Sequence, residues 1–181
     1  MVKEFLHRRV WNGPMSLKRT RYSLCAPYRR NGLTWAHREW HGAHRESAMW
    51  LLKTEPSEYS YDDLEREGRA RWDGVRNPAA LRNLRAMKKG DRVLVYHTGD
   101  EKAVVGTAEV AGEAYPDPKF KGGVFVVVDL EARGRLARPV TLAEIKAMPE
   151  FAESPLVRQG RLSVVPIAAA QWNAIEERGR G

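Results

Sequence analysis

Five short apolar runs, separated by turn residues, set the limits on what this chain can fold into. They are Trp50–Leu52, Arg92–Thr98, Ala103–Val110, Val124–Leu130 and Leu162–Val165. Each is too short for a buried helix, and most are rich in β-branched or aromatic residues, so each reads as a strand. Pro56 prevents the first from continuing as a central strand. Gly99-Asp100 turns the second into the third as an antiparallel pair, and Gly106 inside the third marks a bulge or tight bend.

Short helices fall between the runs. Ser60 with Asp63 makes a capping-box-like start, and Gly68 ends that helix. Asn77 stands at an N-cap position, with Pro78 first in a helix reaching Met87. Thr141 with Glu144 is a capping box for 142–148, and Ala168 to Glu177 closes the chain as a helix. These helices are too short and too few for a doubly wound sheet. The expected class is α+β: a small, strongly bent β-barrel of about five to six mixed strands flanked by short helices.

This pattern begins at Met49, and the expected domain is 49–181. Residues 1–48 carry ten Lys/Arg against three acids, a balance of +7, whereas the remaining 21 Lys/Arg meet 20 Asp/Glu. Neither helical nor strand periodicity persists there. The stretch has no apolar core of a secretory signal and no membrane-spanning run. It is read as a basic extension that is disordered or lies upstream of a true start at Met49. An organellar targeting peptide and a basic nucleic-acid arm are the alternatives. On this reading its removal changes stability little. His37, His41 and His44 lie in it without a carboxylate or thiol scaffold, so no metal site is expected. The near-neutral remainder has no footprint for gripping a long phosphate backbone, and few phosphate contacts are expected. The only cysteine, Cys25, lies in the extension, so the domain needs no disulfide and suits a reducing, cytoplasmic setting.

The chemistry concentrates in Trp72-Asp73-Gly74-Val75-Arg76-Asn77, which joins an aromatic ring, a carboxylate, a glycine, a guanidinium and a carboxamide in one loop. Structural roles are available for its ends: Asn77 as a helix cap, Trp72 as a core plug. No Gly-rich phosphate loop follows a strand, and no serine occupies a nucleophile elbow. His97, the only histidine after Met49, has no adjacent nucleophile to activate. Recognition therefore fits better than catalysis. Trp72 and Tyr96 offer rings, Asn77 a donor and an acceptor, and Lys53, Thr54, His97, Thr98 and Ser163 stand at strand ends. That set suits a planar heterocycle with polar edges, such as a nucleobase.

The segments Leu51–Pro56, Tyr59-Ser60, Trp72–Asn77, Lys89-Gly90-Asp91, Tyr96-His97-Thr98, Val105-Gly106, Tyr115–Pro118, Pro139–Leu142 and Arg161–Val164 recur in this order in EVE-domain proteins. On them the chain from Met49 onward resembles that family, of the PUA-like superfamily. The resemblance implies a compact β-barrel with flanking helices and a pocket for a modified nucleobase in DNA or RNA. It implies no catalysis, cofactor or metal. The chain is also similar to the YTH readers of methylated adenine, in which a tryptophan and an asparagine follow a strand ending in Lys-Ser. Trp72, Asn77, Lys53 and Thr54 occupy the corresponding places. The departures are Thr98, where the family often has Ser, Val165-Pro166 in place of Gln-Pro, and a shortened loop after Tyr115.

The expected ligand-binding set is thus Trp72, Asn77, Lys53, Thr54, Tyr96, His97, Thr98 and Ser163, in a monomer that partners nucleic acid and no membrane. Arg76 and Arg161 are expected to be structural ion-pair partners. Two alternatives stay open. One is a general RNA-binding PUA-like module, which needs a basic face. The other is a small nucleotide-processing enzyme, with His97 as general base and Asp73 orienting it.

Overall fold

The computed structural model describes residues 47–181. The elements run β1 (Met49–Thr54), α1 (Tyr61–Glu67), β2 (Arg69–Trp72), α2 (Pro78–Ala86), β3 (Arg92–His97), β4 (Ala103–Val110), β5 (Tyr115–Pro116) and β6 (Val126–Thr141). They continue with α3 (Leu142–Ala147), a 3-10 turn (Pro149–Phe151), α4 (Pro155–Arg158), β7 (Val164–Ile167) and α5 (Ala169–Gly179). The extension expected at 1–48 lies outside the described residues apart from Ser47 and Ala48. Ala48 is tied into the domain: its N–H donates to Asp91 Oδ1 at 3.1 Å, and its carbonyl accepts from Arg92 N at 2.9 Å.

The seven strands are ordered β2-β6-β4-β3-β1-β7, with β5 added on β6. Only β1 and β3 pair in parallel; the other pairs are antiparallel. A parallel pair needs a crossover between its strands. Here the crossover is α1-β2-α2, so the loop 73–77 is carried inside it. The α+β class is as expected. The strand path has two ends, β2 and β7, and bends without closing. Register shifts lie between Val95 and Tyr96 in β3, and between Val104 and Gly106 in β4. Such bulges are where a sheet turns.

The 3-10 turn and α4 escaped the sequence reading, as did β2, β5 and the second half of β6. β2 is four residues long with only Ala70 and Trp72 buried, and β5 is two residues long. β6 runs on past Leu130 to Thr141 through a mostly exposed, charge-rich segment. That segment is a strand because β4 supplies its hydrogen bonds, whatever its own pattern.

Apolar faces of β1, β3, β4, β6 and β7 meet α1, α2 and α5 in one core including Leu51, Leu94, Leu130, Tyr61, Leu84 and Trp172. Asp91 is buried within its edge at 1% exposure. Its carboxylate accepts from Trp50 Nε1 at 3.0 Å and Lys88 N at 2.9 Å, which pins the start of β1 to the turn before β3.

The helix starts are built as the sequence predicts. Ser60 and Asp63 form a reciprocal capping box on α1, and Thr141 and Glu144 form one on α3. The Ser60 backbone N–H, then its hydroxyl and Arg66, hold the Asp63 carboxyl at about 2. The Thr141 N–H, then Arg138 and the Thr141 hydroxyl, hold Glu144 at about 2. Both values lie below the ordinary carboxylate range near 4, so each contributes stability above about pH 4 that is lost as pH falls toward 2. Acid titration of the thermal midpoint should therefore show a drop between about pH 4 and 2. The Asp63→Asn/Glu144→Gln double variant should show a flatter drop. An equally steep drop would assign acid sensitivity to other carboxylates.

Candidate functional site

Beside the C-terminal end of β1 lies a cavity of about 590 Å³ lined by Lys53, Thr54, Glu55, Glu58, Tyr59, Arg71, Trp72, Asp73, Gly74, Val75, Arg76 and Ser163. Three chain segments form it. β1 ends at Thr54, β2 ends at Trp72, and Ser163 precedes β7, which pairs with β1. The turn after β1 is closed by Glu55, whose carbonyl accepts from the N–H groups of Glu58 and Tyr59 at 3.0 and 2.9 Å. Gly74, at φ 77°, supplies the left-handed backbone that turns the loop after Trp72.

Two aromatic rings form the apolar wall. Tyr59 and Trp72 stand edge to face, with centroids 6.4 Å apart and planes at 89°. Trp72 is 6% exposed and belongs to the core as well as to the cavity. Burial, followed by the Glu67 carboxylate that accepts its hydroxyl proton at 3.2 Å, raises the Tyr59 pKa. Thr54 Oγ1 is committed, donating to Tyr59 O at 2.7 Å. The hydroxyl of half-buried Ser163 makes no hydrogen bond among the described residues, while its carbonyl accepts from Lys53 N at 2.9 Å. Lys53 Nζ donates to Gly160 O at 3.0 Å, and burial lowers its pKa.

Of the eight residues expected to bind, the structure brings Lys53, Thr54, Trp72 and Ser163 into this one cavity. Tyr96 and Thr98 line a neighbouring recess, which shares Lys53 with it. Asn77 lies just past the cavity-lining residues. Its Oδ1 accepts from Ala79 N at 2.8 Å and Ala80 N at 3.2 Å, the N-cap arrangement, and its amide nitrogen makes no hydrogen bond among the described residues. His97 lines a separate groove with Glu101 and Arg135. Its Nε2 accepts from Tyr61 N at 2.9 Å, and its Nδ1 lies 2.7 Å from Glu101 Oε2. Accepting at Nε2 makes the neutral ring carry its proton at Nδ1, shared with Glu101. The ring thus fastens the start of α1 and has no nitrogen left over.

Arg76 and Arg161 correct another expectation. Neither forms an ion pair among the described residues. The Arg76 guanidinium lies over the rings of Phe120 and Phe125, at 5.3 and 5.7 Å, and Asp73 pairs instead with Lys119 at 2.6 Å. The resulting lining balances Lys53, Arg71 and Arg76 against Glu55, Glu58 and Asp73. Tyr59 was missed as a wall residue, although it falls in one of the recurring motifs. Nothing in local spacing shows that the turn 55–59 folds back toward Trp72.

Fold and cavity define a small α+β domain with a recess, lined by Trp72 and Tyr59, where the parallel strand pair meets its crossover. The chain belongs to the EVE-domain family, whose domain matches residues 48–178. It is similar to thymocyte nuclear protein 1 of Mus musculus, at 37% identity over 168 residues, 74% of each chain. It is also similar to thymocyte nuclear protein 1 of Homo sapiens, at 27% over 163 residues, 71% of this chain and 72% of that one. Among solved structures, Rpa0253 from Rhodopseudomonas palustris is 44% identical with a TM-score of 0.70, covering 73% of this chain and 92% of that one. The human THYN1 protein, solved in complex with 5-methylcytosine containing DNA, is 27% identical with a TM-score of 0.66, covering 75% and 99%. No helix among the described residues is long and apolar enough to cross a membrane.

Proposed function

We propose that this protein is a non-catalytic binding module that takes a modified nucleobase of a nucleic acid into the cavity walled by Trp72 and Tyr59. The observation that carries this reading is the cavity itself, with an aromatic wall and a half-buried, unengaged Ser163 hydroxyl in a 590 Å³ space. Aromatic faces bind an extruded base by stacking, and polar groups at the margin read its edge. Its relative, the human THYN1 protein, was solved with DNA containing 5-methylcytosine, which makes a methylated pyrimidine the first ligand to try. The engaged state of both His97 nitrogens supports binding over hydrolysis, since a general base needs a free lone pair near the reacting group.

The test is a fluorescence-anisotropy comparison of the full chain on single-stranded DNA and RNA of one sequence. The central cytosine is unmodified, 5-methylated or 5-hydroxymethylated, and a methylated adenine serves as the outgroup. One modified base should bind about 10-fold or more tightly than its parent, the range available to a methyl group in an apolar pocket. Equal affinity for all, falling steeply with salt, would make the chain a general nucleic-acid binder instead.

A further inference from the structure

The recess beside the base cavity has a composition that the base-binding reading leaves unused. It measures about 270 Å³ and is lined by Lys53, Lys102 and Lys146 together with Tyr96 and Thr98, and no carboxylate lines it. Among the described residues none of the three lysines is in an ion pair. Elsewhere on the domain Arg69, Lys88, Arg133, Arg135 and Arg138 each face a carboxylate. Glu55 lines the base cavity and accepts from Thr98 Oγ1 at 2.6 Å.

The fold fixes the ammonium of Lys53 and the backbone positions of Lys102 and Lys146. Lys53, next to last in β1, has its ammonium on Gly160 O at 3.0 Å and 5.8 Å from the Tyr96 ring centroid. Lys102 sits at φ 45°, a backbone conformation that side-chain-bearing residues rarely adopt. Its carbonyl accepts from Leu142 N at 2.6 Å, which ties it to the start of α3, the helix whose last turn carries Lys146. Burial lowers the Lys53 pKa, as it does for a cation without a counterion. Three lysines around one recess whose lining includes no carboxylate make a place for an anion.

We propose that this recess seats a backbone phosphate of the nucleotide next to the base held in the Trp72 cavity, with Lys53 shared between the two sites. The proposal rests on the base-binding reading for its geometry: a strand with one base extruded must carry its backbone past the cavity mouth. It also revises the expectation drawn from net charge, because a near-zero sum conceals one locally cationic recess.

The experiment uses the full chain with single-stranded DNA carrying one 5-methylcytosine, the same strand with unmodified cytosine, the methylated strand with neutral methylphosphonate linkages flanking that base, and free 5-methyldeoxycytidine. Wild type is compared with Lys102→Gln/Lys146→Gln, both exposed positions whose replacement is checked by melting. Loss of the two lysine contacts to that one phosphate should weaken the charged oligonucleotide by roughly 5- to 30-fold at low salt and flatten the log affinity–log salt slope by about 0.7. The nucleoside affinity and the modified-base preference should stay unchanged, and the variant should lose little on the methylphosphonate strand. Unchanged affinity and slope for the variant, with base preference intact, overturn the phosphate seat alone. A variant-sensitive, salt-dependent affinity with no base preference in wild type sustains the seat and overturns the base reading. Absence of binding to every probe overturns both.

Discussion

Trp72→Ala should weaken binding of the preferred modified base by roughly 5- to 150-fold, since an aromatic stacking partner is worth ~1–3 kcal/mol per base. The same substitution should cost about 3–5 kcal/mol of stability, the usual loss for truncating a buried tryptophan. Both effects are expected because Trp72 is 6% exposed and serves core and cavity together. They are separated by measuring affinity well below the melting midpoint, where the variant is folded, and by adding Trp72→Phe. Phenylalanine keeps a ring against Tyr59 and retains part of the stacking area, so it should bind better than alanine. An affinity equal to wild type in folded Trp72→Ala would make the tryptophan a core plug and move the base elsewhere.

Gly106→Ala is the second large expectation, and it concerns the frame that holds the site. A Cβ at position 106 would lie 2.3 Å from Tyr61 Cζ and 2.6 Å from Cε1 and Cε2, inside any tolerable contact. Tyr61 is fully buried, and its ring cannot retreat without loss. Its hydroxyl donates to Thr107 O at 2.7 Å and accepts from Gly134 N at 3.2 Å, joining α1 to β4 and β6. Overpacking of this kind costs ~1–3 kcal/mol, and the strained hydrogen bonds add about 1 kcal/mol. A total of about 2–4 kcal/mol should lower the thermal midpoint by roughly 5–15 °C. Gly106→Ala/Tyr61→Leu should recover part of the loss relative to Tyr61→Leu alone, because the shorter side chain vacates the collision. Melting of Gly106→Ala at the wild-type temperature would show that the backbone relieves the contact freely.

The two positions differ in how legible they were. Gly106 within an apolar run announced a bulge, and the register shift between Val104 and Gly106 is there. That Tyr61 is what excludes a side chain could not be read locally, because 45 residues separate the two. Three helix starts were legible: Ser60, Asn77 and Thr141 cap as their types and spacings dictate, since capping is settled within four residues, whereas the Ser154 cap of the four-residue α4 went unread. β6 shows the opposite case. Its second half has no strand pattern and exists because β4 accepts it as a partner.

The site divides along the same line. The sequence alone located the Trp72–Asn77 loop, the strand ends Lys53-Thr54 and Ser163, and the family they belong to, because those features are short motifs with local chemistry. It determined the cap at Asn77 and the break in composition near Met49 for the same reason. Only the tertiary structure decided that Tyr59 joins Trp72 in the wall, that His97 faces another groove, and that Lys102 and Lys146 meet Lys53. These are contacts between segments brought together by the parallel β1–β3 pair and its crossover. Local spacing cannot encode them, because strand order and bulge position set which side chains share a cavity.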